Sequence, residues 1–300
     1  MIEVAVDFLI ETQNADGGWG TVVGKHSNAE ATAFTILSLA ALKEETHRDG
    51  LSRAVAWLAD RQNPDGSWPL TAALKDGSWA TALAVLSLAA FEKQRARAVR
   101  GADWLLSQKG SGLGLLNSLL YRFSSQQQKD RLNPDLKGWS WTPGTFSWVE
   151  PTAYALLALK KLRAFLPAQQ VEDRIRQGEL LLYDRVCEEG GWNYGNTKIL
   201  GANLWPYPDT TALALIALEE HRTREANQRS LEALRRMLAQ TQSGLALSWS
   251  ILCFTLYGED VSRWRQLLAE CQKKTGFLGE TKTMALALLA SVDNYTVFKV

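Results

Sequence analysis

The chain repeats itself, and the repeat is a tryptophan-bearing turn set between two kinds of helix. Phe8, Trp57 and Leu181 each stand eleven positions before a tryptophan: Trp19, Trp68 and Trp192. A glycine-rich turn, Asp16-Gly17-Gly18, Asp65-Gly66-Ser67 or Gly190-Gly191, directly precedes each of them. Gln13 and Gln62 hold matching places in the first two copies. Trp104-Leu105 with Gln108 is a fourth copy, and weaker ones run through 234–240 and 267–272, the latter followed by Gly276-Phe277. Repetition at this period marks stacked supersecondary units, none of which buries its apolar face alone.

The segments on either side of the turns differ in kind. Those before a turn, such as 51–60 and 228–239, set apolar residues on one face and charges on the other, as a helix with one wet face does. Those after it are poor in charge and rich in Ala and Leu. Their copies begin at Thr32-Ala33, Thr81-Ala82, Thr152-Ala153, Thr211-Ala212 and Thr283-Met284, with 248–257 as a divergent member. A helix that is apolar all round must be buried on several sides. About six outer–inner helix pairs closed into a ring would hide every inner helix without a membrane, whereas left open they would form a solenoid. The terminal copies show no polar capping face, so closure is expected. The fold class is therefore all-α, a toroid forming one domain over residues 1–300, with an inserted connection at about 109–138. One repetitive ring accounts for a length above the roughly 100–200 residues usual for a single domain.

Several function classes find no support. Lys and Arg number 33 against 32 Asp and Glu, a net charge of +1, which leaves no basic excess for nucleic acid. No apolar run reaches about 18 residues, so no transmembrane segment is expected. Residues 1–10 lack a basic leader followed by an apolar stretch, so no signal peptide is expected. Cys187, Cys253 and Cys271 are too few and scattered for a disulfide frame, and a cytoplasmic location is expected. His26, His47 and His221 do not fall in register with Cys253 as a zinc site requires, so no metal is expected. No phosphate-binding glycine loop or Asp-Asp-x-x-Asp/Glu metal motif is present. The Gly turns are explained by the positive φ that ends a helix. Asn14-Ala15-Asp16-Gly17 lacks the remaining ligands of a calcium loop.

Gln, a Gly-rich turn and Trp, repeated ahead of Ala/Leu helices, resemble the QW motif of squalene–hopene cyclases and related terpene cyclases, and are similar to the repeat of protein prenyltransferase β-subunits. The resemblance extends over nearly the whole chain and implies an (α/α)6 barrel whose inner helices begin near a central cavity. Class II cyclases of this family use two or three helical domains, and some sesquiterpene cyclases resemble a single barrel. One barrel here argues against substrates as large as squalene. The zinc ligands of the prenyltransferases have no counterpart in this chain.

The segment Tyr207-Pro208-Asp209-Thr210-Thr211-Ala212 resembles the class II motif Asp-x-Asp-Asp-Thr-Ala and its Asp-x-Asp-Thr-Thr variant, whose middle Asp protonates an alkene or epoxide. On that alignment the acid is Asp209, and Tyr207 replaces the first Asp. The resemblance implies a protonation-initiated cyclisation of an isoprenoid. Such an acid must be protonated at rest, which burial in an apolar pocket achieves. The cation that follows needs π-faces and little water. Trp141, Phe146, Trp148, Trp192, Tyr194, Trp205, Tyr207 and Trp249 are candidate faces, and Glu150 is a candidate second carboxylate. Glu30 and Glu150 stand where Asp209 does in their own repeats, and an acidic residue also favours a helix start. Asp209 can thus be read as a cap or as an acid, and each Trp as core or as site.

The connection 109–136 is unusually long for paired helices. Its apolar stretch 113–123 can be read as a lid, an entrance, an extra core helix or a peripheral membrane contact, and 126–131 as a solvated loop. Arg122, Lys129, Arg131 and Lys198 are candidate diphosphate contacts or solvated charges. The expected partner is a hydrophobic small molecule of isoprenoid type. No cofactor is expected, with Mg entering only alongside a diphosphate. Two other readings stay open: a non-catalytic toroid that binds an isoprenoid, lipid or protein, and a glycoside-active (α/α)6 enzyme with Glu150 and Asp209 flanking the bond. A dry closed pocket with Asp209 inside would mark the cyclase, and an open polar groove the glycosidase.

Overall fold

Helices alternate in position as their sequences alternate in composition. The computed structural model describes residues 1–42, 47–108, 110, 132, 133, 135–199, 201–293 and 297–299. Among them twelve α-helices follow one another: α1 (Ile2–Glu11), α2 (Ala29–Leu42), α3 (Arg48–Ala59), α4 (Ala80–Leu88), α5 (Arg95–Ser107), α6 (Val149–Leu162), α7 (Ala168–Asp184), α8 (Pro208–Ala217), α9 (Glu225–Leu238), α10 (Gly244–Leu256), α11 (Ser262–Thr275) and α12 (Thr281–Ser291). The even-numbered helices form the inner ring. Each packs on the next, and α12 packs back on α2, so the ring closes. The odd-numbered helices lie outside, and α1 covers the seam by packing against α12.

Composition explains the two layers. Every residue of α4 is buried, as is every residue of α8 after Asp209. Outer helix α9 buries Leu231, Leu234 and Leu238 at helical spacing and leaves its charged face in water. The small Ala, Ser and Thr side chains let the inner helices approach closely.

The tryptophan turns tie the layers together by one repeated pattern of bonds. The backbone N–H groups of Trp19, Trp68, Trp139 and Trp192 donate to the hydroxyls of Thr32, Thr81, Thr152 and Thr211, at 2.9 to 3.0 Å. Their indole N–H groups donate to the carbonyls of Leu9, Leu58, Leu105 and Leu182, at 2.6 to 3.0 Å. Each ring thus caps an outer helix from which carbonyls would otherwise hang unpaired. Trp139 is therefore the turn tryptophan of the copy that begins at Trp104-Leu105, displaced along the chain by the insertion. Gln13 and Gln62 each donate to a carbonyl of their own turn and to one in the next outer helix, Gly50 and Arg97. Gly66 sits at φ +94°, and a Cβ there would lie 2.5 Å from the Arg100 carbonyl.

Most of the long connection, including 113–123, 126–131, Arg122, Lys129 and Arg131, lies outside the described residues. The connection from α7 to α8 carries a short antiparallel hairpin, Lys198–Ile199 with Ala202–Asn203. Among the described residues no helix is long and apolar enough to cross a membrane.

Candidate functional site

Each inner helix is entered from a turn that follows an outer helix, so the inner N-termini gather at one end of the ring. Second in their helices stand Glu30 in α2, Glu150 in α6, Asp209 in α8, Leu245 in α10 and Lys282 in α12. A cavity of about 210 Å³ opens there, lined by Glu150, Tyr194, Asp209, Thr210, Leu213, Leu245, Trp249 and Lys282.

An aromatic floor crosses the barrel axis, and of its rings Trp249 lines the cavity. Phe34, Tyr154 and Trp249 are each the sixth residue of an alternate inner helix. Their ring centroids lie 6.1, 5.9 and 6.2 Å apart, so the three rings meet across the middle of the barrel. Phe298, from the C-terminal segment, adds a fourth buried ring 5.4 Å from Trp249. The dry apolar pocket expected of a cyclase is thus a chamber of mixed polarity. Three large side chains at one level fill the axis below it, and a lysine reaches its rim.

That lysine organises the charges. Lys282 Nζ lies 2.8 Å from Glu30 and 3.4 Å from Glu150. α12 and α6 stand opposite each other in the ring, so the bridge spans the mouth. The Tyr154 hydroxyl donates to Glu150 at 3.0 Å, and Lys282 Nζ lies 5.4 Å from the centre of the Phe34 ring. Burial opposes the charge on Lys282, but the two glutamates outweigh it and hold its pKa above the ordinary lysine value. Burial also pushes the Tyr154 hydroxyl well up, with Glu150 and Glu30 adding to the effect.

Asp209 stands at a helix start and in the cavity lining at once. It is the second residue of α8, after Pro208, in the first turn where a carboxylate suits the helix dipole, and it accepts the backbone N–H of Thr210. Its carboxyl also lines the cavity. Burial raises its pKa above 3.8, Glu150 adds to the rise, and the backbone N–H bonds and Lys282 offset part of it. Desolvation dominates.

The other expected residues divide three ways. Trp249 and Tyr194 line the cavity, and Tyr207 packs on Tyr194 with ring centroids 5.2 Å apart. Trp141 meets Trp79 at 4.8 Å, and Trp79 stacks on Tyr154 at 6.0 Å, so Trp141 reaches the floor only through another ring. Trp148, half-buried, precedes α6 and lies outside the cavity lining. Phe146 and Trp205 are 61% and 70% exposed and do not line it either. Trp192 requires a correction: its ring is wholly buried and its indole N–H is taken by Leu182, so it is part of the wall. Lys198 lies on the hairpin, away from the lining. Among the described residues no group of three or more His, Cys, Asp or Glu is placed to hold a metal ion.

Sequence reading missed Lys282, Tyr154 and Phe34. The signal for the two rings was their shared offset within the inner helices. Lys282 was hidden by a shift of frame, since it stands one residue before Thr283, whereas the acidic residues stand two before their threonines.

Residues 2–112 match the family model of the squalene-hopene cyclase C-terminal domain. The type II terpene cyclase MstE from Scytonema, in a variant bound to its substrate geranylgeranyl dihydroxybenzoate, superposes with a TM-score of 0.61 at 17% identity, over 99% of this chain and 96% of that one. The fold is terpene cyclase-like. No curated protein matches it in sequence. The terpene cyclase-like fold is shared with carbohydrate enzymes: an alpha-amylase from Clostridium perfringens gives a TM-score of 0.62 at 10% identity, over 96% of both chains. An alpha-1,6-mannanase of Salegentibacter gives 0.55 at 11%, over 96% of this chain and 99% of its own. At such identities the likeness is one of fold, and chemistry must be argued from the site.

Proposed function

We propose that this terpene cyclase-like barrel is a class II cyclase acting on an isoprenoid, with Asp209 as the acid that starts the reaction. One observation carries the reading: a carboxyl held toward its protonated form by burial lines a cavity that also presents Trp249 and Tyr194. A protonated carboxylic acid beside an alkene can deliver its proton to carbon, and the π-faces favour the resulting cation. Glu150, in the same cavity, is assigned the closing proton. A volume of about 210 Å³ is below the ~300–1,000 Å³ of ordinary ligand pockets, which suits the reacting end of an isoprenoid chain better than a whole squalene. The family match and the fold shared with MstE support the same reading. The reading assigns the reaction to this barrel without a cofactor, and the free cysteines suit a cytoplasmic setting.

Incubation with farnesol, farnesyl diphosphate and geranylgeranyl dihydroxybenzoate, followed by mass spectrometry of the extracts, tests the proposal. A cyclised product is expected from at least one, and none from Asp209→Asn. Equal turnover by that variant would remove Asp209 from the mechanism.

A second reading, a glycoside-active enzyme, draws on the presence of Glu150 and Asp209 in one cavity and on the shared amylase fold. Release of reducing sugar from α-glucans or α-mannans, lost in both Glu150→Gln and Asp209→Asn, would favour it over the cyclase.

A further inference from the structure

We infer that the cavity accepts an isoprenoid with an uncharged head, and that the Glu30–Lys282–Glu150 bridge is what turns a diphosphate away. The inference rests on the isoprenoid reading above and adds the class of substrate.

Lys282 is the one cation among the described residues lining the cavity. A diphosphate head would need it. Its ammonium, however, already lies 2.8 Å from Glu30 and 3.4 Å from Glu150. The side chain is only 14% exposed and the two carboxyls 21% and 18%, so water screens the cluster weakly. Two carboxylates against one ammonium leave the mouth formally negative even when Asp209 carries its proton. A diphosphate entering would face that charge and would have to compete with two carboxylates that already pair with Lys282. A hydroxyl, ester or phenol meets no such opposition. It can use the hydroxyls of Tyr194 and Thr210 and the carboxyl of Asp209, all of which line the cavity. The same negative cluster favours a cation once Asp209 has given up its proton, so one arrangement both selects a neutral head and suits the proposed chemistry.

Equilibrium binding of farnesol and of farnesyl diphosphate to the full chain, the diphosphate with and without Mg, tests the inference without any need for turnover. Farnesol is expected to bind at least tenfold more tightly. In a Glu30→Gln, Glu150→Gln double variant, with Lys282 released, the preference should shift at least tenfold toward the diphosphate. Tighter binding of the diphosphate by the parent protein would overturn the inference and leave the cyclase reading standing. Failure of both compounds to bind would sink the isoprenoid reading, and the inference with it. The parent protein's own preference decides the matter even if a variant does not fold.

Discussion

Asp209 shows how one side chain can serve a helix and a cavity in conflicting ways. As the second residue of α8 it is well placed for the helix dipole, worth about 0.3–1 kcal/mol when ionised. Its burial opposes that ionisation and wins, since its pKa lies above 3.8. A group raised in the folded state contributes stability that is fully present below its unfolded pKa and is lost as pH rises through the folded one. Near neutral pH the wild-type side chain therefore costs the fold something that an amide would not. Asp209→Asn is expected to melt no lower than the parent at pH 7, and its margin over the parent should shrink as pH falls toward 3.8. Thermal melts of both proteins between pH 4 and 8 check this, and a drop of about 1 kcal/mol or more at pH 7 would point to a cap alone.

At the scale of elements, the repeated bond pattern matters more than any one contact. Trp192 is buried with both its N–H groups paired, to Thr211 and Leu182. Trp192→Phe removes the indole donor, leaves the Leu182 carbonyl without it and opens space in the wall. It should cost about 1–3 kcal/mol from the lost bond alone, seen as a lower urea midpoint with unchanged slope. A second tie lies at the opposite ends of the inner helices. Lys160 of α6 is wholly buried and reaches Glu179 of α7 at 2.6 Å, Glu220 at 2.9 Å and the Ala217 carbonyl at 2.9 Å. Lys160→Met would remove the cation that Glu179 and Glu220 share, at a cost of about 3–5 kcal/mol. Glu220 feels burial upward, but Lys160 and Arg163 outweigh it and hold its pKa below 4.5. A carboxyl depressed in the folded state contributes stability that is present above its unfolded pKa and lost as pH falls through the folded one. The Lys160→Met variant should therefore show a shallower loss of stability below pH 4.5 than the parent.

The whole molecule depends on closure. No inner helix could be left apolar all round unless α12 met α2, and α1 is what covers that seam. α1 buries Ala5, Val6 and Leu9, and Leu9 also receives the Trp19 indole. Removing residues 1–11 should cost on the order of 5 kcal/mol, from about 1.5–3 kcal/mol each for the larger two plus the lost bond. Calorimetry should then show a lower, broader transition. An unchanged melt would mean that the ring holds without its first outer helix.

How much of this was legible beforehand follows from the range of the forces involved. Periodicity and turn chemistry are local, so the alternation of wet and buried helices, the positive φ of Gly66 and the toroid could be read along the chain. Asp209 was legible because its neighbours Thr210, Thr211 and Ala212 make a contiguous motif. The role of Trp139 was not, because an insertion separates it from the helix it caps. Nor were the floor and the bridge, since Phe34, Tyr154 and Trp249 come from three helices and Lys282 meets Glu30 and Glu150 from the far end of the sequence. By itself the amino-acid order determined that helices must pair, bury and close. Only the closed ring decided that its centre is packed with rings and that the negative charges at its mouth share one lysine, because burial and Coulomb energy depend on distances that exist only once the first and last helices touch.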